Sequence, residues 1–191
     1  MRSTRYTAGV DEAGRGPLAG PVHAAAVILG ETRIPGLDDS KKVTPDRRQL
    51  LEELIKKEAI CWSVASASVE EIDDINILQA SLLAMRRAVL GLTILPDYAL
   101  IDGNKIPSLL NCEAAAIVGG DGIHAEISAA SILAKEARDK EMLSLSCLYP
   151  QYGFEKHKGY PTKAHMEALE KYGVCDHHRR TFAPVRRLIR S

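Results

Sequence analysis

The sequence predicts an α/β protein with a mixed five-stranded sheet, flanked by helices and followed by a C-terminal helical segment. Short apolar runs typical of strands alternate with segments in which apolar residues recur at helical spacing. The first two strands follow each other closely, as in an antiparallel pair, whereas helices separate the later strands. The 191 residues are enough for one sizeable core, so we expect one domain over residues 1–191.

The expected strands come from apolar runs bounded by turn residues. Gly14-Arg15-Gly16 separates the first two strands, and the fourth strand delivers Asp102 at its C-terminal end. The predicted strands are residues 4–10, 22–29, 60–67, 97–101 and 114–118. Early antiparallel pairing followed by strand–helix alternation favours a mixed sheet with helices on its faces.

The expected helices are located by capping residues and by apolar spacing. Thr44-Pro45 is typical of an N-cap followed by a first-turn proline, and Gly173 is typical of a helix end. The helices are predicted to begin at Pro45 and to cover 69–74, 76–90, 128–143 and 161–172, with a short basic helix at 186–190. The C-terminal helical portion therefore spans about residues 150–191.

Composition restricts the class of protein. Hydrophobic residues make up 46% of the chain and charged residues 26%, which is typical of globular proteins. Charged residues interrupt every apolar run, so no association with a membrane is expected. The cysteines are dispersed and form no CxxC pair, which favours reduced thiols in the cytoplasm. We expect a monomer.

The formal net charge is zero, but the charges are unevenly distributed. Residues 156–191 contain nine Lys and Arg against three Asp and Glu, whereas residues 1–155 contain 16 against 22. A basic end joined to an acidic body suits a phosphate-rich partner held over a cation-binding centre. A solvated charged face is the alternative that composition leaves open.

Acidic residues follow three of the predicted strands. Asp11 and Glu12 follow the first strand, Asp102 the fourth and Asp121 the fifth. The C-terminal ends of strands are where sites collect in open α/β sheets, and carboxylates suit hard cations such as Mg²⁺ or Mn²⁺. Any one of these acids could instead cap a helix or occupy a turn, but the repeated placement favours a metal site.

The glycine-rich turn after Glu12 has a different role from a dinucleotide-binding loop. Its spacing is not GxGxxG, Pro17 follows it, and a strand comes next instead of a helix. Glycine allows a close approach of the backbone, and Arg15 can pair with phosphate. The turn is therefore predicted to contact a phosphodiester backbone.

Several motifs in one order resemble the bacterial ribonuclease HII family, the type 2 ribonucleases H. The resemblance runs from about Tyr6 to about Phe182. The motifs are residues 11–16 (DEAGRG), 39–42 (DSKK), 101–103 (IDG), 128–135 (SAASILAK) with Arg138-Asp139, and 157–160 (HKGY). The resemblance implies a ribonuclease H-like fold, Mn²⁺ or Mg²⁺ as cofactor, and RNA–DNA hybrids or ribonucleotide-containing duplex DNA as substrate.

By position, the resemblance implies that Asp11, Glu12, Asp102 and Asp121 are the four catalytic, metal-binding acids. Glu126 is a nearby competitor for the place of Asp121. The resemblance also assigns ribonucleotide sensing to Gly14, Arg15, Gly16 and Tyr160, and a phosphate contact to Lys41. One departure is Glu136-Ala137, where an apolar β-branched residue and Thr are expected; this affects packing within a helix.

The resulting hypothesis is a metal-dependent endoribonuclease that cuts on the 5′ side of a ribonucleotide in a duplex. A nucleic-acid-binding module with structural acids is the alternative from another class, and it predicts salt-dependent binding without turnover. A junction resolvase is a third possibility, which the Gly14–Gly16 turn and Tyr160 disfavour.

Overall fold

The computed structural model describes residues 5–37 and 43–190. Five strands form one mixed sheet in the order β3-β2-β1-β4-β5. The strands are β1 (Thr7–Ala13), β2 (Val22–Leu29), β3 (Ala59–Ala67), β4 (Tyr98–Asp102) and β5 (Glu113–Ile117). β2 pairs antiparallel with β1 and β3, whereas β4 pairs parallel with β1 and β5. The predicted mixed five-stranded sheet is confirmed.

Helices cover both faces of this sheet. They are α1 (Pro45–Glu58), α2 (Val69–Leu90), α3 (Ala125–Leu148), α4 (Phe154–His157), α5 (Lys163–Tyr172) and α6 (Ala183–Arg190). The two helices expected before β4 form one kinked element, because Asn76 has a φ of 67°. The Asn76 side chain accepts hydrogen bonds from the amides of Leu78 and Gln79, so it caps the second half of α2.

The first strand is longer than its sequence suggests. We expected it to end at residue 10, but β1 continues to Ala13 because β2 still pairs beside it, with Asp11 opposite Ala25 and Glu12 opposite Ala24. Pairing with β4 ends at Val10 and Ile101. Asp11 and Glu12 therefore lie within β1 but beyond its pairing with β4.

Apolar side chains fill both faces of the sheet. Ala24 and Ala26 of β2 pack with Met85 of α2 on one face, whereas Ala25 and Val27 pack toward α1 and α3 on the other. Burial on both faces explains why β2 is continuously apolar from Ala24 to Leu29. At Gly9 an added Cβ atom would lie 2.1 Å from the backbone of Glu126, so glycine allows α3 to lie directly on β1.

The C-terminal portion packs against the connection between β1 and β2. A third cluster joins Leu18 and Ala19 to Phe154, Leu169 and Val185. Backbone hydrogen bonds strengthen this contact: the Leu18 amide donates to the Gly159 carbonyl, and the Arg179 amide donates to the Leu18 carbonyl, both at 2.8 Å. The segment after α3 is thereby held against the end of β1.

Two further expectations concern the whole chain. No helix among residues 5–37 and 43–190 has both the length and the apolar character needed to cross a bilayer. The four cysteines, Cys61, Cys112, Cys147 and Cys175, have free thiols. The extent of the domain, residues 1–191, stays a prediction.

Candidate active site

Three of the four predicted acids share one electrostatic environment at the end of β1 and β4. Asp11 is 4% exposed, and its carboxylate accepts the Glu12 amide hydrogen at 2.7 Å. Asp102 closes β4, and its Oδ1 accepts the Gly120 amide hydrogen at 2.8 Å. Asp11 lies on the α3 side of the sheet, where Ser131 hydrogen-bonds it. Glu12 is near the end of the strand and borders both sides, with Met85 of α2 and with Ser131 of α3.

The negative charges of these acids repel one another. Burial raises the pKa of Asp11 well above its ordinary value of 3.8, and the carboxylates of Glu12 and Asp102 raise it further, although a hydrogen bond with Ser131 acts in the opposite direction. Burial also raises the pKa of Glu12. Arg15 Nη1 lies 3.4 Å from Glu12 Oε1 and opposes that rise. A nearby cation would therefore stabilise the ionised acids.

The structure bears on the choice between Asp121 and Glu126 as the fourth acid. Asp121 lies in a single 3-10 turn, Gly120–Gly122, immediately after the residue whose amide donates to Asp102. Glu126 lies in the first turn of α3 and lines a separate cavity with Leu29 and Arg33. This placement favours Asp121, and its role as a ligand stays a prediction.

The acids suit a hard divalent cation in their chemistry. Asp11, Glu12 and Asp102 offer oxygen donors, which Mg²⁺ and Mn²⁺ prefer, and a cation would relieve their mutual repulsion. Within the described ranges, no three His, Cys, Asp or Glu side chains are grouped closely enough to hold a metal ion. The four-acid ligand set accordingly stays a prediction.

The Gly14–Gly16 turn borders the acids. Gly14 has a φ of 102°, and a Cβ atom added there would lie 2.1 Å from Nε of Arg138. Glycine is therefore needed both for the backbone angle and for the space that the Arg138 side chain occupies. Arg15 is exposed beside Glu12.

A cavity of about 490 Å³ lies against this turn. Its lining combines Glu12 with the turn, Tyr160 and several cations; the residues are Glu12, Ala13, Gly14, Arg15, Gly16, Arg48, Ser131, Lys135, Arg138 and Tyr160. Arg48 and Lys135 form ion pairs with Asp139, whereas Arg15 is exposed beside Glu12 and can attract a phosphodiester to the cavity.

Tyr160 lies where the C-terminal portion meets the turn. Its side chain is 45% exposed, and its Cε1 atom lies 3.4 Å from the position of a Cβ atom added at Gly16. The Arg138 guanidinium lies 6.0 Å from the centre of its ring. The structure thus brings the two predicted ribonucleotide-sensing elements into contact. Lys41, the predicted phosphate contact, lies outside the described residues.

Two residues of the site were not assigned by sequence reasoning. Ser131 appears in the sequence only as part of the motif at residues 128–135, but in the structure it hydrogen-bonds Asp11. Arg138 is 1% exposed and donates to the Lys158 carbonyl at 2.8 Å. A signal for Arg138 was available, because its i, i+4 spacing with Ala134 and Met142 places it on the buried face of α3.

Carboxylates at the end of the central strand of a mixed α/β sheet, beside a cavity that cationic side chains line, are typical of nucleic-acid hydrolases. A family model described as Ribonuclease HII matches residues 8–185. Ribonuclease HII of Neisseria meningitidis serogroup B (strain MC58) is 62% identical over 184 residues, which cover 96% of this chain and 95% of the relative. The chain therefore belongs to the ribonuclease HII family of endoribonucleases.

Solved structures agree with the fold. The ribonuclease H2 from Pyrococcus horikoshii superposes with a TM-score of 0.79 at 28% identity, covering 96% of each chain. The structure of Bst-RNase HIII in complex with Mn²⁺ has a TM-score of 0.74 at 17% identity, covering 98% of this chain and 70% of that one. At this low identity the second likeness shows the shared fold alone.

Proposed function

We propose that the chain hydrolyses the RNA strand of RNA–DNA hybrids and cuts duplex DNA on the 5′ side of a single embedded ribonucleotide. The products are a 3′-hydroxyl and a 5′-phosphate. The observation that carries this proposal is the buried Asp11, whose pKa is raised by burial and by Glu12 and Asp102, next to the cavity that the Gly14–Gly16 turn and Tyr160 line.

The proposed metal ligands are Asp11, Glu12, Asp102 and Asp121, with Mn²⁺ or Mg²⁺ as the cation. A bound cation of this kind activates water and stabilises the leaving oxygen of a phosphodiester. Ser131 holds Asp11 by a hydrogen bond, and the Gly120 amide holds Asp102. These two contacts orient the carboxylates in the absence of substrate.

Recognition of the ribonucleotide is assigned to the turn and to Tyr160. The backbone amides of the turn can contact the 2′-hydroxyl, which distinguishes RNA from DNA. The Tyr160 ring can stack on the neighbouring sugar, while Arg15, Lys41 and the basic C-terminal portion attract the phosphates. We also propose a monomer that works in the cytoplasm, where free thiols persist.

The first test is cleavage of a DNA duplex with one ribonucleotide by wild type and by Asp102→Asn, with Mn²⁺, Mg²⁺ or EDTA. We expect metal-dependent cutting 5′ to the ribonucleotide in wild type. The variant should bind the duplex without cutting it, because it loses a carboxylate of the cluster but keeps the cavity. Full activity of Asp102→Asn would falsify the assignment.

The matched control is Asp74→Asn, which changes an exposed Asp of α2 and should cut like wild type. Binding without cutting by wild type in every metal would instead favour a non-catalytic nucleic-acid-binding module. That result would leave the raised pKa of Asp11 without a catalytic explanation.

Tyr160→Ala tests recognition at the ribonucleotide. We expect the preference for a duplex with a ribonucleotide over all-DNA duplex to fall roughly tenfold, since base–aromatic stacking, the nearest analogue of the contact between Tyr160 and the sugar, contributes about 1–3 kcal/mol. Tyr172→Ala is the control, because Tyr172 is 50% exposed, close to the 45% of Tyr160. An unchanged preference in Tyr160→Ala would remove this residue from the recognition site.

A further inference from the structure

Arg179 is a fully buried cation close to the Gly14–Gly16 turn, and the function proposed above gives it no role. Its side chain is 0% exposed. Burial and the neighbouring Arg138 lower its pKa to about 9, so it still carries its charge at neutral pH. A buried charge is costly unless polar groups compensate it. The arrangement of its hydrogen bonds therefore indicates what the residue does.

The guanidinium donates its hydrogen bonds to backbone carbonyls of the β1–β2 connection. Nη2 donates to the Gly14 carbonyl at 2.6 Å, and Nη1 donates to the Arg15 carbonyl at 2.9 Å. Nε donates to the Gly20 carbonyl at 2.9 Å, and Nη2 also approaches the Pro21 carbonyl at 3.3 Å. One rigid, planar group thus joins both ends of the β1–β2 connection.

These bonds determine where the amides of the turn point. In a trans peptide the C=O and N–H groups point in opposite directions, and the described chain contains no cis peptide bond. Because the Gly14 and Arg15 carbonyls point to Arg179, the amides of Arg15 and Gly16 point away from it. Among the described residues, Gly14, Arg15 and Gly16 line the cavity and Arg179 does not.

The segment that carries Arg179 also contacts the second recognition element. His178 pairs with Ala19 in an isolated β-bridge. Nε2 of His178 lies 3.1 Å from Nε2 of His165, and Nδ1 of His165 lies 2.9 Å from the Tyr160 carbonyl. Arg179 therefore contacts the turn, whereas the adjacent His178 reaches the backbone of Tyr160 through His165.

We propose that Arg179 is a positioning residue, which directs the amides of Arg15 and Gly16 toward the 2′-hydroxyl of a ribonucleotide by holding the carbonyls of the turn. The inference rests on the proposed function, because it assigns the source of ribonucleotide selectivity within that same site. Lysine cannot replace arginine here, since a single ammonium group lacks the planar fork that reaches two adjacent carbonyls.

The test measures discrimination separately from chemistry. In an Asp102→Asn background with Mn²⁺, the affinities for two duplexes are compared, one with a single ribonucleotide and one all-DNA. We expect Arg179→Lys to lower the ratio of these affinities about tenfold, as the loss of about one well-placed hydrogen bond predicts. The affinity for the all-DNA duplex should stay at the level of the Asp102→Asn parent.

The control is Arg180→Lys, which changes the exposed neighbour and should keep the parental ratio. A purely structural role of Arg179 would weaken binding of both duplexes equally, and that result would overturn the inference. If wild type cuts at the ribonucleotide but Arg179→Lys leaves the ratio of affinities unchanged, the inference about Arg179 is overturned and the proposed function stands. A wild type that neither cuts nor discriminates would overturn the proposed function first.

A second pair of variants covers the case in which Arg179→Lys does not fold. The Asp73 carboxylate accepts hydrogen bonds from the amides of Arg180 and Thr181 at 2.8 and 2.9 Å, so it anchors the chain just after Arg179. Asp73→Ala should lower the affinity ratio in the same direction, whereas Asp74→Ala should not. Equal ratios in these two variants would contradict the inference.

Discussion

Asp11 shows how one residue can lower stability in order to serve a site. Its carboxyl is buried beside two other acids, so its pKa lies well above the ordinary value of 3.8. The protonated form is therefore favoured by folding. This stabilisation is complete below pH 3.8 and is lost as the pH rises through the raised pKa. At neutral pH, without a cation, an ionised Asp11 opposes folding.

Asp11→Asn should therefore stabilise the metal-free protein while removing activity. In EDTA at neutral pH we expect the melting temperature to rise by roughly 2–4 °C, the shift that about 1 kcal/mol produces in a chain of this size. Added Mn²⁺ should raise the melting temperature of wild type more than that of the variant. Thermal unfolding with and without metal measures both effects.

Asp74→Asn, which changes an exposed acid, serves as the control and should leave the melting temperature unchanged. A metal-free Asp11→Asn that melts below wild type would show that the hydrogen bonds of Asp11 with Ser131 and the Glu12 amide outweigh the cost of its burial.

Gly14→Ala separates backbone strain from steric conflict. The φ of 102° alone disfavours alanine, and the added Cβ would lie 2.1 Å from Nε of Arg138. We expect a loss of stability beyond the roughly 1–2 kcal/mol of a left-handed non-glycine residue, together with loss of cleavage. Urea unfolding and the cleavage assay measure these effects.

Gly173→Ala provides the comparison for strain alone. Gly173 has a φ of 78°, and no atom lies within 4 Å of an added Cβ. The Gly173→Ala variant should lose only the stability that the left-handed backbone angle costs, and it should keep its activity. Equal losses of stability in the two variants would mean that Arg138 moves aside without cost.

Sequence patterns reveal individual residues when a residue type is unusual at its position. Acids at the ends of apolar strands are such a case, and the structure brings Asp11, Glu12 and Asp102 together. Arg179 gives no comparable signal, because an arginine within a basic segment is also typical of a solvated face. Only the tertiary fold shows that it is buried, since its partners are carbonyls more than 150 positions away.

The limits of helices and strands agree with the sequence-based predictions where local capping signals are strong. The Thr44-Pro45 start and the Gly173 end were both correct. The end of β1 was not, because the strand continues for as long as β2 pairs beside it. Strand limits depend on the partner strand, which a local pattern does not contain.

Hydrogen bonds between neutral histidine side chains link α5 to the segment that follows it. The Cys175 amide donates to Nδ1 of His178 at 3.1 Å. The proton of His178 is therefore on Nε2 and is donated to Nε2 of His165, which leaves Nδ1 of His165 to donate to the Tyr160 carbonyl. Burial and His165 lower the pKa of His178 to about 4, and burial also lowers the pKa of His165.

This arrangement predicts a loss of stability in acid. Histidines whose pKa is lowered by folding stabilise the protein above their unfolded value of 6.5, and this stability is lost as the pH falls from 6.5 through about 4. We expect the free energy of unfolding to fall over this range. His178→Gln should be less stable at pH 7 but should show a shallower dependence on pH.

Urea unfolding between pH 7 and pH 4 measures this dependence. His124→Gln is the control, because His124 precedes α3 and lies outside this chain of hydrogen bonds; it should keep the slope of wild type. A slope in His178→Gln as steep as that of wild type would attribute the acid sensitivity to other groups.

At the scale of the whole molecule, the basic C-terminal portion and the acidic body meet at the site. Leu169 and Val185, from the segment with the excess of Lys and Arg, pack with Leu18 and Ala19 directly after the turn. The charge division seen in the sequence predicted a phosphate-rich partner above an acidic centre. It could not predict which cations would face inward, because composition contains no information on burial.

The hydrogen bond between Arg179 and Gly14 spans 165 positions of the chain. On the ribosome, the acids of β1 therefore emerge long before the residue that holds the neighbouring turn. Contacts of such long range form slowly, because closing a long loop costs entropy. A nascent chain released before residue 179 would contain Asp11, Glu12, Asp102 and Asp121 but would leave the turn unsupported. The proposed ribonucleotide selectivity would therefore arise only after residue 179 has been synthesised.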